Sequence, residues 1–330
     1  MNVWNATSRI RWISFFTISL LIIALLSSTM PSPSPARASS SAACAGSDQA
    51  SNAIVAFDPT DTNWNDSGSQ QWSWAPSAAN GFSSPTPGWG NPTDMRIRNN
   101  CVFGGTYMAI TASDGLAAII PYPAGNSRQW SLNVGGNPQA AELLPNGNIA
   151  IAATSGGWVR IYTSSQGASS TNYVQYDLPG AKGVLWDPLH NVLWAVGQHH
   201  LVALLENGSA SAPNLEESFK IALPTAVGRD VQPVYGDTDR LWVSTDSAVY
   251  QYVKSTKTFD TSYTGSASIS RAGVRSVGSN EDGQVVETVP KAGCQNAWCT
   301  DTADFFEPAA TRTRTGASFY KVRYLIPEYQ

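Results

Sequence analysis

The chain has 330 residues, 42% of them hydrophobic and only 13% charged, with 12 Trp, 12 Tyr and 10 Phe. That aromatic content needs a core and excludes a disordered chain, while four cysteines are too few for a disulfide miniprotein but enough for two bridges. A formal net charge of −4 offers no general attraction for nucleic acids or anionic membranes, so neither is an expected partner.

Residues 1–38 read as an export signal. Arg9 and Arg11 precede an apolar run from Ile13 to Leu26 that is short for a transmembrane helix, and Ala36-Arg37-Ala38 offers a small-x-small cleavage site. Cleavage before Ser39 is expected to leave a secreted, monomeric domain of residues 39–330. Its net charge moves from −4 to −7, since Arg9, Arg11 and Arg37 are lost and no Asp or Glu precedes residue 39. The alternative is membrane anchoring through the uncleaved segment. Export makes disulfides chemically permissible.

Beyond the signal, short apolar runs separated by turns repeat down the chain. Strands are expected at 42–48, 54–57 and 71–74, and then first strands begin at Thr93, Gln139, Lys182, Arg229 and Ala272, in steps of 46, 43, 47 and 43 residues. Third strands recur at 116–120, 158–162, 201–205, 249–253 and 303–306. Fourth strands recur at 129–132, 173–176, 219–222 and 319–322. Asn146-Gly147 and Asp282-Gly283 are two-residue hairpin turns that need positive φ. Four strands per repeat of this length predict an all-β protein, a β-propeller. Five whole blades are expected, plus a sixth, composite one in which the tail, 325–330, supplies the innermost strand beside the N-terminal strands. Five blades with an N-terminal flap, or seven blades, are the alternatives.

In this frame Cys44 and Cys101 both lie on the bottom face, and a bridge between them would stabilise ring closure by roughly 3 kcal/mol. Cys294 and Cys299 flank Gln-Asn-Ala-Trp in an enlarged top-face connection, where a second bridge is expected. The 311–315 Thr/Arg run reads as a solvated bottom loop.

No Gly-x-Ser-x-Gly, His-Glu-x-x-His, phosphate loop or dinucleotide fingerprint occurs, and no cofactor is expected. Three histidines, His190, His199 and His200, cannot build a His-rich metal cage, so no metal is expected. Propeller ligands sit at the top, where blade entries meet the turns between second and third strands. The entries offer Thr93-Asp94, Gln139, Lys182, Arg229-Asp230 and Arg271; the turns offer Asp48, Asp114, Ser155, Gln198-His199, Asp246 and Asp301. The expected ligand-binding set is Asp94, Gln139, Lys182, His199, Arg229, Asp230 and Arg271. Arg forks onto carboxylates and Asp accepts from hydroxyls, which suits a hydroxyl-rich or carboxylated ligand. Against this, the turn aspartates serve equally as local Asx-turn acceptors, and the cations as structural ion pairs. Trp130, Trp158, Trp186, Trp194 and Trp242 read as packing between blades. Trp64, Trp89 and Trp298 lie in loops, and Trp298 is the favoured stacking platform.

The entry segments Asn137-Pro-Gln-Ala-Ala-Glu-Leu-Leu-Pro, Gly180-Ala-Lys-Gly-Val-Leu-Trp-Asp and Gly228-Arg-Asp-Val resemble those of a family of secreted bacterial β-propeller proteins of unknown function. The resemblance runs over nearly the whole mature chain and implies the propeller fold. In that family the three entries tend to carry histidine, which would imply metal binding or acid/base catalysis, as in polysaccharide lyases with propeller folds. Here they are Gln139, Lys182 and Arg229, which suit an acidic ligand and not a divalent metal. The sequence therefore favours a non-catalytic binder of an extracellular glycan or surface protein. The alternative is a lyase or hydrolase on uronate-containing glycans. There Lys182, Arg229 and Arg271 would neutralise the carboxylate, while His199, Asp230 or a rim tyrosine would move the proton. Catalytic residues are otherwise unassigned.

Overall fold

Residues 42–99 and 101–330 are described by a computed structural model, so the expected export signal and its cleavage site lie outside the described residues. Runs such as Ile149-Ala-Ile-Ala-Ala, apolar on both faces and free of Pro, form strands buried on both sides. In chain order come β1 (Cys44–Asp48), β2 (Ala53–Phe57) and β3 (Gln70–Trp74). Blade one is β4 (Pro92–Arg98), β5 (Tyr107–Ala112), β6 (Leu116–Pro121) and β7 (Trp130–Asn133). Blade two is β8 (Pro138–Leu143), β9 (Ile149–Ala153), β10 (Trp158–Tyr162) and β11 (Tyr173–Asp177). Blade three is β12 (Gly183–Asp187), β13 (Val192–Val196), β14 (His200–Glu206) and β15 (Leu215–Ala222). Blade four is β16 (Gly228–Val234), β17 (Asp237–Thr245), β18 (Val249–Val253) and β19 (Thr258–Asp260). Blade five is β20 (Ser276–Ser279), β21 (Val285–Thr288), β22 (Thr302–Phe306) and β23 (Ala310–Thr313), and β24 (Phe319–Tyr324) follows.

Each blade is a four-stranded antiparallel sheet, and the sixth has the order β24-β1-β2-β3. The molecule is a six-bladed β-propeller whose last blade is built from both ends of the described chain. Cys44 pairs with Tyr324 and Gly46 with Val322 in that closing ladder. Side chains of adjacent blades interdigitate in six apolar clusters, one per interface. The strand tryptophans pack there, with Trp130, Trp158, Trp186, Trp194 and Trp242 all buried. The turns at Gly147 and Gly283 take φ of 81° and 86°, the left-handed region that glycine tolerates.

The register at the C-terminal end differs from expectation. The innermost closing strand is Phe319–Tyr324 and not 325–330, while the fourth strand of blade five is Ala310–Thr313, overlapping the 311–315 run read as a loop. Phe319-Tyr-Lys-Val-Arg-Tyr alternates apolar and charged residues as a half-exposed outer strand does, but all six residues are buried. Its charges are neutralised inside the channel instead of by solvent.

The expected Cys44–Cys101 bridge is not formed: both are buried free thiols. Cys44 packs with Phe57, Trp64 and Tyr324 between blade five and the closing blade. Cys101 packs with Trp130, Ala141 and Leu143 between blades one and two. The two thiols thus serve different interfaces. Cys294 and Cys299 are bridged.

Candidate functional site

The inner strands all start at the same end of the ring, and that end carries a cavity of about 350 Å³. Five strand starts reach it. Gln139 comes from blade two, Lys182 from blade three, Arg229 from blade four, Arg275 from blade five and Tyr320 from the closing blade. Turns between second and third strands complete the wall with Gln49, Ser113, Thr154 and Trp298, and Asn137 lies just before β8.

The charge balance of this wall is lopsided. Arg229 and Arg275 share one carboxylate, Asp246, with Arg275 Nη1 at 3.4 Å. Lys182 is only 9% exposed and has no carboxylate at ion-pairing distance among the described residues. Burial, then the neighbouring Arg229 and Arg275, brings its ammonium pKa down to about 8. Burial and Arg229 likewise lower Arg275, whose Nε is buried without a partner. The Tyr320 hydroxyl has no hydrogen-bond partner among the described residues, and burial raises its pKa. Three cations facing one carboxylate make a site that attracts anions.

The floor is a buried ion network. Arg323 donates to Asp94 Oδ1 at 2.6 Å and forks onto Asp230 at 2.8 and 2.9 Å. Lys321 Nζ donates to the Gln139 carbonyl at 2.9 Å and lies 3.6 Å from Asp230 and 4.0 Å from Asp94. The same aspartates accept backbone N–H groups of the next blade, Ala141 on Asp94 and Val277 on Asp230. Burial pushes the Asp230 carboxyl up, but Arg323 and Lys321 outweigh it and hold the pKa down. Below, Glu142 takes Arg98 at 2.8 and 3.0 Å and Arg96 at 3.3 Å. Arg98 also donates to the carbonyls of Ile326 and Glu328, so the last residues strap the far end of the channel. These buried ions form a floor beneath the cavity, which is thus a well.

Of the sequence-derived set, Gln139, Lys182, Arg229 and Trp298 meet at this well. Asp94 and Asp230 do not reach the rim; both are wholly buried in the network beneath it. His199 is exposed in the turn before β14, outside the cavity wall. Arg271 is also outside, since the short helix Ser266–Ile269 and its flanks delay the start of blade five from Ala272 to Ser276. Trp64 is core, stacked on Phe57 with ring centres 4.5 Å apart, and Trp89 packs edge-on against Trp74. Arg275 and Tyr320 were missed. The signal that finds them is the register itself: Thr93-Asp-Met, Gln139-Ala-Ala, Lys182-Gly-Val, Arg229-Asp-Val, Arg275-Ser-Val and Tyr320-Lys-Val are equivalent triplets.

Arg271 instead pairs with Glu287 at 2.9 Å and Asp304 at 3.0 Å. Burial pushes the Glu287 carboxyl up to about 8, with Arg271 opposing, and its Oε1 is buried without a partner. The folded state therefore holds this proton more tightly than the unfolded chain does. The stabilisation is complete below about pH 4.5 and is lost as pH rises towards 8. In thermal melts from pH 5 to 9, Glu287→Gln should gain on the wild type as pH rises. Parallel stability curves would contradict this.

Trp298 is 45% exposed, with its Nε1 donating to Gln49 Oε1 at 3.0 Å. The Cys294–Cys299 bridge closes its loop, and Lys291 pairs with Asp301 at the base at 2.7 Å. So short a loop makes the bridge worth about 2 kcal/mol in the chain-entropy picture. Replacing both cysteines by serine should red-shift the Trp298 emission while leaving the fold's circular dichroism intact; unchanged emission, compared against a Trp298→Phe control, would show the loop is held without the bridge.

Among the described residues no group of His, Cys, Asp and Glu is arranged to hold a metal. The model of a family of unknown function, DUF6528, matches residues 31–329. No curated protein matches the chain. A protein of unknown function from Bacteroides caccae is similar in structure, with a TM-score of 0.51 at 10% identity, covering 81% of this chain and 90% of that one. A streptogramin B lyase structure aligns at a TM-score of 0.46 and 13% identity, covering 72% and 70%. A chain of the mitotic checkpoint complex aligns at 0.48 and 10% identity over 72% of this chain, which spans 65% of that chain's length. These likenesses are of fold alone.

Proposed function

The chain belongs to this family of unknown function, and from its own geometry we propose that it is a secreted, non-catalytic propeller that captures an acidic extracellular ligand, a glycan or surface protein, in the well at its top face. One observation carries the reading. Lys182 is buried at the cavity wall without a carboxylate partner, beside two guanidinium groups that share one. Desolvating a cation without a counter-ion is costly, and an incoming anion would remove that cost. The export-type N-terminus and the Cys294–Cys299 bridge support an oxidising location. No described helix is long and apolar enough to cross a membrane. Two of the residues suggested for proton transfer, His199 and Asp230, are respectively outside the well and locked in ion pairs.

The test is binding of acidic and neutral glycans and of acidic peptides, repeated with Lys182→Ala. Binding should be strongest below about pH 8 and weaken as Lys182 loses its proton above it. Binding near pH 8 should also take up a proton, seen calorimetrically in buffers of different ionisation enthalpy. No acidic preference, or no effect of Lys182→Ala, would defeat the proposal.

Tyr320 and Lys182, both without partners in the same well as Arg229 and Arg275, favour one second reading, elimination on a uronate. It would release unsaturated sugars from uronate polymers. A panel that yields none removes it.

A further inference from the structure

We infer that the well receives the end of a glycan chain, a terminal sugar ring bearing a carboxylate, with its acid towards blades three to five and its hydroxyls towards blades one and two. The inference rests on the anion-binding reading above and adds to it a ligand class and an orientation.

Three features combine. The first is angular polarity. The cations Lys182, Arg229 and Arg275 come from three consecutive blades, whereas blades one and two contribute only Ser113, Asn137, Gln139 and Thr154. Gln139 Nε2 donates to Ser113 Oγ and to Asn137 Oδ1. Its carbonyl oxygen and the Asn137 amide are left to bind a ligand. A ligand matching this wall is acidic on one side and presents both donors and acceptors on the other. A sugar acid has that division; an inorganic anion does not, and would leave the amide arc unused.

The second feature is Trp298, an exposed indole at the same cavity, oriented by its bond to Gln49. Its face suits the C–H face of a pyranose, where a flat apolar surface is worth most. The third is the closed floor. Lys321, Arg323, Asp94 and Asp230 are buried directly beneath, and the far end is strapped by the C-terminal residues. A polymer cannot thread through. A cavity of about 350 Å³ is at the small end of ligand sites, with room for about one or two rings. Such a well admits a chain end and excludes the middle of a chain.

The experiment is calorimetric titration of the full chain with glucuronate, galacturonate and N-acetylneuraminate, with their uncharged amides, with inorganic phosphate, and with oligosaccharides carrying the acid either at the non-reducing end or only internally. At least one free acid should bind, with its amide weaker by about 10- to 100-fold, the loss expected for a hydrogen bond to a charged group. Asn137→Ala with Gln139→Ala, and separately Trp298→Ala, should weaken the sugar acid while leaving phosphate binding unchanged. Arg275→Ala should weaken both. If phosphate binds as tightly as every sugar acid, the sugar assignment is overturned and the anion site stands. If an internal acid binds as well as a terminal one, the end-on orientation is overturned. If no anion binds, the inference and the reading beneath it fall together.

Discussion

Asp230→Ala is expected to destabilise the fold by about 3–5 kcal/mol, the usual cost of removing one partner of a buried ion pair. Asp230 is wholly buried and takes both arms of the Arg323 guanidinium, with Lys321 3.6 Å away. Its removal leaves one acidic residue, Asp94, to neutralise two fully buried cations, and strips the Val277 N–H of its acceptor. For a domain of this size the loss corresponds to a fall of on the order of 10 °C in melting temperature. The penalty belongs to the orphaned charge rather than to the pair. The double variant Asp230→Leu with Arg323→Met should therefore be more stable than Asp230→Ala alone. A double variant that melts lower than the single one would show that the pair itself is the stabilising element.

Removing Arg229 and Arg275 together should weaken anion binding by about 10²- to 10⁴-fold, more than the two single losses combined. Each arginine shares Asp246 with the other. After one substitution the survivor still covers that carboxylate, and the well keeps a positive excess with Lys182. After both, Asp246 stands naked and cancels Lys182, so the field at the cavity changes from attractive to neutral. Adding Asp246→Ala to the double variant should restore part of the affinity, because a repulsive group has gone. Titration with the tightest anion found for the wild type, at low and high salt, measures this. Strictly additive losses, or no recovery in the triple variant, would refute a shared counter-ion.

The propeller was legible in the sequence because its repeat is enforced by packing. Each blade must bury both faces, and the spacing of apolar runs records that requirement directly. Gln139, Lys182 and Arg229 were legible for a related reason: they hold equivalent positions in the repeat, which the fold brings to one end, while Trp298 stood out as the aromatic in the enlarged connection between two cysteines. The failures have physical causes too. Lys321 and Arg323 gave β24 the pattern of a solvated outer strand, since alternation records that a side chain meets a polar environment, not whether that environment is water or a carboxylate. Asp94 and Asp230 were placed at the rim by the same blindness, one residue past the position that faces the cavity. Arg271 was mistaken for Arg275 because an irregular insertion before blade five moved the strand start by four residues. Cysteine pairing depends on distances across the ring, which local sequence does not encode, and Cys44 and Cys101 sit at different interfaces.

The closing blade also fixes how the ring responds to mechanical load. Cys44 opposes Tyr324, so both described chain ends leave the β1–β24 ladder from the same side. Tension applied between the termini opens that antiparallel ladder like a zipper, breaking one bonded pair at a time instead of shearing all of them at once. The anchors beyond it, Arg98 on the carbonyls of Ile326 and Glu328 and the Tyr329 hydroxyl on the Leu143 carbonyl, must release before the first rung is loaded. The weak direction of the ring is thus the seam where the two described ends of the chain meet.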